Sequence, residues 1–144
     1  MSEFREQAFI DAPVGVVWEL LADVDRHPEW WPRVLEVDCE GLEPGCTYRE
    51  VVQTPLGKDE MNLLIVKRDE LRKLHIRCLN TGTFVRFEVT GAQGGTFVEG
   101  EMGMEPQGVK ARVFDATVGR RYFADWIAKT FDGLRGAAVK RRAD

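Results

Sequence analysis

The sequence predicts an α+β domain in which a curved, seven-stranded antiparallel sheet wraps around a long C-terminal helix. Between residues 34 and 105, six short segments are rich in β-branched and aromatic residues, and the turns between them are too short for crossover helices. After residue 108, apolar residues recur at helical spacing. The chain has 144 residues, 44% of them apolar, and we expect residues 1–144 to form one domain.

The N-terminal region predicts one strand followed by two helices. The strand lies near Phe4–Ile10, and Pro13 suits the first position of the first helix because its ring fixes φ and removes an N–H that would have no partner. Asp25 is expected to cap a second, very short helix that ends at the Trp-Trp-Pro segment, residues 30–32. One buried helical face is predicted by apolar residues at helical spacing: Val14, Val17, Trp18 and Leu21.

Six further strands and one long helix complete the prediction. The strands are Val34–Cys39, Cys46–Thr54, Glu60–Val66, Lys73–Leu79, Thr83–Val89 and Thr96–Met104. The helix runs from about Val109 to Arg142, and its apolar stripe consists of Gly119, Tyr122, Phe123, Trp126, Ile127, Thr130, Leu134 and Ala137. Because a sheet twists and curls whereas a helix is straight, we expect a cavity between them.

The composition and charge of the chain argue against several classes of function. The net charge is −4, and basic residues gather near the C-terminus, where they favour a helix end, so nucleic-acid binding is not expected. No segment is apolar enough for a membrane span or a signal peptide, and we expect a cytoplasmic protein. The three cysteines are expected to be reduced, although Cys39 and Cys46 flank a predicted turn and a bridge between them stays open.

No catalytic constellation stands out in the sequence, so catalytic residues stay unknown. His27 and His75 are the only histidines, and strand alternation places His75 on the outer face. The sequence contains neither a nucleophile elbow nor a glycine loop of the phosphate-binding type. We therefore expect no metal and no cofactor.

The combination of motifs resembles the START-like, or SRPBCC, superfamily, which includes the polyketide cyclase/dehydrase and lipid-transport group. The matching residues are Ile10, Ala12-Pro13, Val17-Trp18, Asp23, Trp30-Trp31-Pro32, Gly94-Gly95-Thr96 and Leu134. This resemblance implies the helix-grip fold, with an N-terminal strand, two small helices, six more strands and a C-terminal helix over a hydrophobic pocket. The same fold hosts carriers, sensors, cyclases and co-chaperone-like domains.

Strand alternation predicts which residues line the pocket. Met102 and Phe87 are expected to face inward, whereas apolar residues on both faces of Met61–Val66 leave that strand, and Asn62 on it, unassigned. Two polar side chains, Tyr48 and Glu50, share a face with Val52. The predicted ligand-binding residues are Trp30, Tyr48, Glu50, Phe87, Met102, Tyr122, Phe123 and Trp126.

Several roles stay open at this stage. A tyrosine such as Tyr48 or Tyr122 either donates a hydrogen bond to a ligand carbonyl or packs its ring with the hydroxyl at the rim. Glu50 is either a buried acid with a raised pKa or a solvated carboxylate at the mouth. Of Trp30 and Trp31, one is expected under the short helix and the other near the pocket entrance, without an assignment between them.

The sequence favours a carrier or sensor, monomeric or homodimeric, that binds a small hydrophobic or amphipathic molecule between the sheet and the C-terminal helix. The alternative is a polyketide aromatase/cyclase-type enzyme, and a third possibility is an interaction domain without a ligand. A carrier needs one or two hydrogen-bonding groups in its pocket, whereas a cyclase needs several that converge at mid-cavity. An interaction domain predicts a collapsed cavity and an exposed apolar patch.

Overall fold

The structure is a computed structural model that describes residues 2–105 and 108–143. Its strands are β1 (Ser2–Ile10), β2 (Val34–Asp38), β3 (Thr47–Thr54), β4 (Gly57–Asp69), β5 (Lys73–Cys78), β6 (Thr83–Ala92) and β7 (Gly95–Met104). Its α-helices are α1 (Val14–Ala22), α2 (Gly108–Phe114) and α3 (Arg120–Ala143). A 3-10 helix occupies Val24–Glu29, and a π-helical turn, Asp115–Gly119, joins α2 to α3.

The seven strands form one sheet in the order β1-β7-β6-β5-β4-β3-β2, and every neighbouring pair is antiparallel. This confirms the predicted fold class. Strands β1 and β2 are consecutive in the chain but lie at opposite edges of the sheet, so α1 and the 3-10 helix carry the chain from one edge to the other. The Trp-Trp-Pro segment therefore lies where the chain re-enters the sheet.

Three details of the helical prediction differ from the structure. Asp25 does not cap the 3-10 helix, because that helix begins at Val24 and Asp23 occupies the capping position without a side-chain hydrogen bond. The C-terminal helical segment is not regular, since the π-helical turn interrupts it. Pro13 directly precedes α1, one residue earlier than expected.

The core lies between the concave face of the sheet and α3. The buried residues of α3 are Tyr122, Phe123, Trp126, Ile127, Thr130, Phe131, Leu134 and Ala138. Phe131 and Ala138 were missed by the predicted stripe, Ala137 is only half-buried, and Gly119 lies outside the residues whose burial the structure describes. The predicted stripe thus includes most of the buried residues of α3 but misses Phe131 in the middle of the helix and Ala138 near its C-terminal end.

Two glycines allow α3 to lie close to its neighbours. A Cβ atom on Gly100 of β7 would lie 2.7 Å from the ring of Phe131, and a Cβ atom on Gly133 would lie 2.6 Å from the carbonyl oxygen of Trp30. Both distances are shorter than real Cβ contacts. Helix α3 therefore contacts the sheet at β7 and the Trp-Trp-Pro segment along its second half.

Candidate functional site

A cavity of about 400 Å³, here called the outer chamber, lies at the end of the sheet where the β3–β4 and β5–β6 turns approach α2. Its walls are mainly apolar and aromatic: Val52, Met61, Met104, Ala111, Phe114, Tyr122, Phe123 and Trp126. Around the opening lie Leu56 and Val109, whose side chains are 74% and 77% exposed, together with the exposed Lys58 and Lys110. The chamber is open to solvent at this rim.

Tyr122 reaches the outer chamber from α3, and its polar groups already have protein partners. The hydroxyl donates a hydrogen bond to the carbonyl oxygen of Gln53 at 3.1 Å, and the carbonyl of Tyr122 accepts one from the Arg33 guanidinium at 3.2 Å. Arg33 also lies 4.6 Å above the Tyr122 ring and pairs with Asp125. Burial raises the pKa of Tyr122 to about 12. The ring is thus a neutral, fixed wall of the cavity.

A second, smaller cavity of about 30 Å³, here called the inner chamber, lies deeper under the sheet. It adjoins the outer chamber at Met61, Thr83 and Trp126, which line both. The remaining lining residues come from the Trp-Trp-Pro segment and from β2 to β7: Trp31, Val34, Tyr48, Glu50, Leu63, Ile76, Phe84, Val85 and Met102. The lining residues with polar side-chain groups are therefore Trp31, Tyr48, Glu50, Thr83 and Trp126.

Glu50 is buried on β3, next to the edge strand β2, and lies opposite Val37 on β2 and Met61 on β4. Burial raises the pKa of its carboxyl group to about 8, so the group is protonated at neutral pH. Burial also raises the pKa of neighbouring Tyr48 well above its usual value. Within residues 2–105 and 108–143, neither the Glu50 carboxyl nor the Tyr48 hydroxyl has a hydrogen-bond partner.

Trp31 and Trp30 stack on each other with ring centroids 5.2 Å apart but lie in different environments. Trp31 is buried, lines the inner chamber and packs edge-on against Phe87, and its Nε1–H has no hydrogen-bond partner among the described residues. Trp30 is half-buried and donates to the carbonyl of Leu20 at 3.2 Å. Trp31 thus reaches the inner chamber, Trp30 lines neither chamber, and neither tryptophan lies at the mouth of the outer chamber.

The two histidines lie outside both chambers. His27 is fully buried beside the two tryptophans, and its Nε2 lies 2.7 Å from the carbonyl oxygen of Leu21. Burial lowers the pKa of His27 to about 4, so the ring is neutral at pH 7. His75 is half-buried on the outer face of the sheet, as alternation predicts. Neither imidazole is therefore available as a base inside the cavity.

The structure separates the eight predicted ligand-binding residues into four groups. Phe123 and Tyr122 line the outer chamber, Tyr48, Glu50 and Met102 line the inner chamber, and Trp126 lines both. Trp30 and Phe87 line neither chamber. All eight stay predictions as ligand contacts. Alternation was correct for the strands on which it assigned an inward face, β3, β5, β6 and β7. On β4, which it left unassigned, Met61, Leu63 and Ile65 are buried and Asn62 is exposed.

Sequence reasoning missed many lining residues, among them Ala111, Phe114, Thr83 and Trp31. Ala111 and Phe114 lie on α2, whose phase relative to α3 is shifted by the π-helical turn. Thr83 is polar although it shares the alternation of Phe87 on β6, and Trp31 belongs to an irregular segment without a periodic pattern. The aromatic pair at residues 30 and 31 was the available signal, although it could not distinguish its two members.

The described residues hold no cluster of three or more His, Cys, Asp or Glu side chains suited to a metal ion. Within residues 2–105 and 108–143, no helix has both the length and the apolar character that crossing a membrane requires. The three cysteines are free thiols, and Cys39 donates a hydrogen bond to the carbonyl of Gly41 at 3.1 Å.

The family profile described as polyketide cyclase/dehydrase and lipid transport matches residues 1–139. The chain belongs to this family, as the sequence resemblance predicts. The family and the fold are those of hydrophobic ligand-binding or polyketide cyclase-type domains. A search of curated proteins found no match.

Solved structures show the same helix-grip fold. A START superfamily protein from Mycobacterium smegmatis has a TM-score of 0.79 at 11% identity, with 97% of this chain and 99% of that chain covered. The Zhui aromatase/cyclase from Streptomyces sp. R1128 has a TM-score of 0.76 at 15% identity over 96% and 94% of the two chains. The di-domain aromatase/cyclase StfQ of steffimycin biosynthesis has a TM-score of 0.71 at 19% identity, with 99% of this chain and 52% of that chain covered. At these identities the likeness shows the fold.

Proposed function

We propose that the protein binds a small, largely apolar molecule in the outer chamber, between the sheet and the C-terminal helices. The observation that carries this proposal is a 400 Å³ chamber whose walls are mostly apolar and aromatic. Pockets for small ligands commonly have volumes of about 300–1,000 Å³ and such walls. A domain that served only protein interaction would bury this surface in a collapsed core instead.

The chemistry of the chamber favours a molecule with an apolar body. Phe123 and Trp126 present stacked rings with centroids 6.3 Å apart, and Tyr122 has its hydroxyl committed to Gln53. At the rim, Lys58 and Lys110 are balanced by the acidic Asp59 and Glu60. Neither sign of charge therefore dominates the opening, and burial of apolar surface supplies most of the binding energy.

An environment-sensitive apolar dye tests the proposal. Replacing Ala111, which is 6% exposed and lines the chamber from α2, by Trp should fill the chamber and abolish dye binding. The matched control is Ala128→Trp on the exposed side of α3, which should leave dye affinity unchanged. A parent protein that binds no dye, or an Ala111→Trp variant that binds as well as the parent, would overturn the proposal. Native mass spectrometry of protein from its own host should also show a retained small molecule.

A second candidate function, a cyclase-type enzyme, is favoured by the inner chamber. The Trp31 indole, the Tyr48 hydroxyl and the Glu50 carboxyl belong to residues that all line this one small space. The indole N–H is buried without a hydrogen-bond partner in the part of the chain that the structure describes. Convergent polar groups of this kind can polarise carbonyl groups of a folded chain. Two of the structurally similar proteins are aromatase/cyclases.

The enzymatic candidate is tested by incubating the protein with a poly-β-carbonyl chain and following ring closure and loss of water by mass spectrometry. Ring closure should accelerate over the protein-free rate, and Glu50→Gln should slow it while binding of the chain persists. Equal rates with and without the parent protein would eliminate this candidate and leave the binding function in place.

A further inference from the structure

We propose that the inner chamber is a subsite for one neutral carbonyl group, so that the ligand is an apolar molecule with a ketone- or aldehyde-type oxygen at one end. This inference rests on the proposed binding function, because the body of the same ligand occupies the outer chamber. It adds the chemical class of the ligand, which the shape of the outer chamber does not specify.

The size of the inner chamber limits what enters it. A volume of about 30 Å³ accommodates roughly two water-sized groups. A carbonyl group fits in this space, whereas an aromatic ring does not. Since Met61, Thr83 and Trp126 line both chambers, a ligand whose body packs on Trp126 can extend one small group inward.

The chamber is rich in hydrogen-bond donors. An indole N–H donates and cannot accept, and that of Trp31 is buried without a partner among the described residues. The Tyr48 hydroxyl and the protonated Glu50 carboxyl can each donate as well. A buried donor that lacks a partner is costly, so a ligand atom that accepts hydrogen bonds is favoured at this point.

The charges around the chamber discriminate between a carbonyl and a carboxylate. None of the lining residues is Lys, Arg or His, so a carboxylate would enter without a counter-charge. Deprotonation of Glu50 would place a negative charge in the same space, and carbonyl binding should then weaken. Carbonyl affinity should thus be high at neutral pH and fall as the pH rises above the Glu50 pKa of about 8.

Titratable groups other than Glu50 also lie near the inner chamber, and the thiols of Cys39 and Cys78 interact electrostatically with Tyr48. Tyr48 on β3 and Tyr122 on α3 interact electrostatically with Glu50, and the pKa of each is raised by burial. The neighbours of Glu50 on β2 and β4, Val37 and Met61, are uncharged. The lining residues from β5, β6 and β7 are uncharged as well: Ile76, Thr83, Phe84, Val85 and Met102. The charged Lys58, Asp59, Glu60 and Lys110 line the outer chamber.

Three probes of one shape test the proposal: 2-acetylnaphthalene, which has a ketone, 2-ethylnaphthalene, which has none, and 2-naphthoate, which has a carboxylate. Dissociation constants are measured by displacement of the apolar dye at pH 6.5 and pH 9.5. At pH 6.5 the ketone should bind roughly three- to tenfold more tightly than the hydrocarbon, and the carboxylate should bind most weakly. The carbonyl stretching frequency of the bound ketone should move to lower wavenumber, which reports its hydrogen bonds directly.

Two variants of Glu50 separate charge from hydrogen bonding. Glu50→Gln retains an amide donor without a titratable group, so the ketone preference should persist and become independent of pH. Glu50→Leu and Tyr48→Phe should each reduce the ketone preference while affinity for 2-ethylnaphthalene remains. Thermal unfolding of each variant verifies that it folds. Tyr48→Phe removes only a hydroxyl group, so it tests the hydrogen bond even if Glu50→Leu does not fold.

The outcomes distinguish this inference from the function on which it rests. If 2-acetylnaphthalene and 2-ethylnaphthalene bind equally well, the outer chamber binds apolar ligands and the carbonyl subsite is refuted. Tighter binding of 2-naphthoate than of the ketone refutes it as well. Failure of the dye and of all three probes refutes the binding function, and the inference with it.

Discussion

The two halves of the C-terminal helical segment bury very different surfaces. Helix α3 presents a continuous row of buried side chains to the sheet, whereas α2 buries Ala111 alone and leaves Val109 and Val113 77% and 57% exposed. Helix α3 is also tied to the rest of the molecule, because Trp126 donates to the carbonyl of Pro32 at 2.7 Å and Arg141 pairs with Glu19. Helix α3 therefore maintains the fold, and α2 forms one wall of a cavity.

The two chambers differ in which of these two helices lines them. Residues of α2 line only the outer chamber, whereas Trp126 of α3 lines both. Where a helix packs tightly on the sheet, the space beneath it shrinks to about 30 Å³, and where the packing ends the space grows to about 400 Å³. The comparison indicates that substitutions on α3 should change stability and that substitutions on α2 should change binding.

The largest expected effect comes from Phe131→Ala on α3. The Phe131 ring is 3% exposed and packs against Phe87 at 6.2 Å between centroids, so its removal should destabilise the protein by about 3–5 kcal/mol. The matched change on α2, Val113→Ala, should alter the free energy of unfolding by no more than about 0.5 kcal/mol. Urea denaturation measures both. Similar losses for the two variants would contradict the division between the helices.

The next effect concerns Glu50, which is buried and contacts the chamber that α3 covers. Its pKa rises from 4.5 to about 8 on folding, so the native state retains a proton that the unfolded state releases. This group therefore lowers stability as the pH rises from about 4.5 to about 8. Relative to the parent, Glu50→Gln should gain little at pH 4.5 and roughly several kcal/mol at pH 8. Urea denaturation across this range measures the difference, and a constant difference would show that Glu50 is solvated.

The smallest effects come from a matched glycine pair on α3. Gly133→Ala should destabilise by about 1–3 kcal/mol, since its Cβ would lie 2.6 Å from the carbonyl oxygen of Trp30. Gly136→Ala meets no atom within 4 Å and should stabilise by about 0.5–1 kcal/mol, because alanine favours helix. Thermal unfolding resolves the opposite signs. Stabilisation by both substitutions would mean that α3 does not lie against the Trp-Trp-Pro segment.

The fold was predictable from the sequence because its elements are periodic. Alternation identified the inward side chains of β3 and β7, and helical spacing identified Trp126 and Leu134 on α3. Strand β4 was ambiguous because Leu64 and Val66 are apolar although they lie on the outer face. Tertiary packing, which periodicity does not encode, decides such cases.

The candidate site was less predictable, since much of it lies in irregular segments. Trp30 and Trp31 follow a 3-10 helix, where neighbouring side chains diverge without a repeating pattern, so the sequence could not show that Trp31 reaches the inner chamber. Glu50 shared a face with Val52, but its burial depends on the cover that α3 provides. The extent of that cover could be found only from the folded structure.

The π-helical turn at Asp115–Gly119 absorbs one extra residue of chain between α2 and α3. A π-helical turn holds one residue more than an α-helical turn. Removing one residue here, for example Ala116, would restore a regular helix and leave α2 in nearly the same orientation relative to α3, because the turn already accommodates the extra residue. Ala111 would then still line the outer chamber. A single deletion at this turn should therefore leave the same α2 side chains in the wall of the chamber, without altering a residue of the sheet.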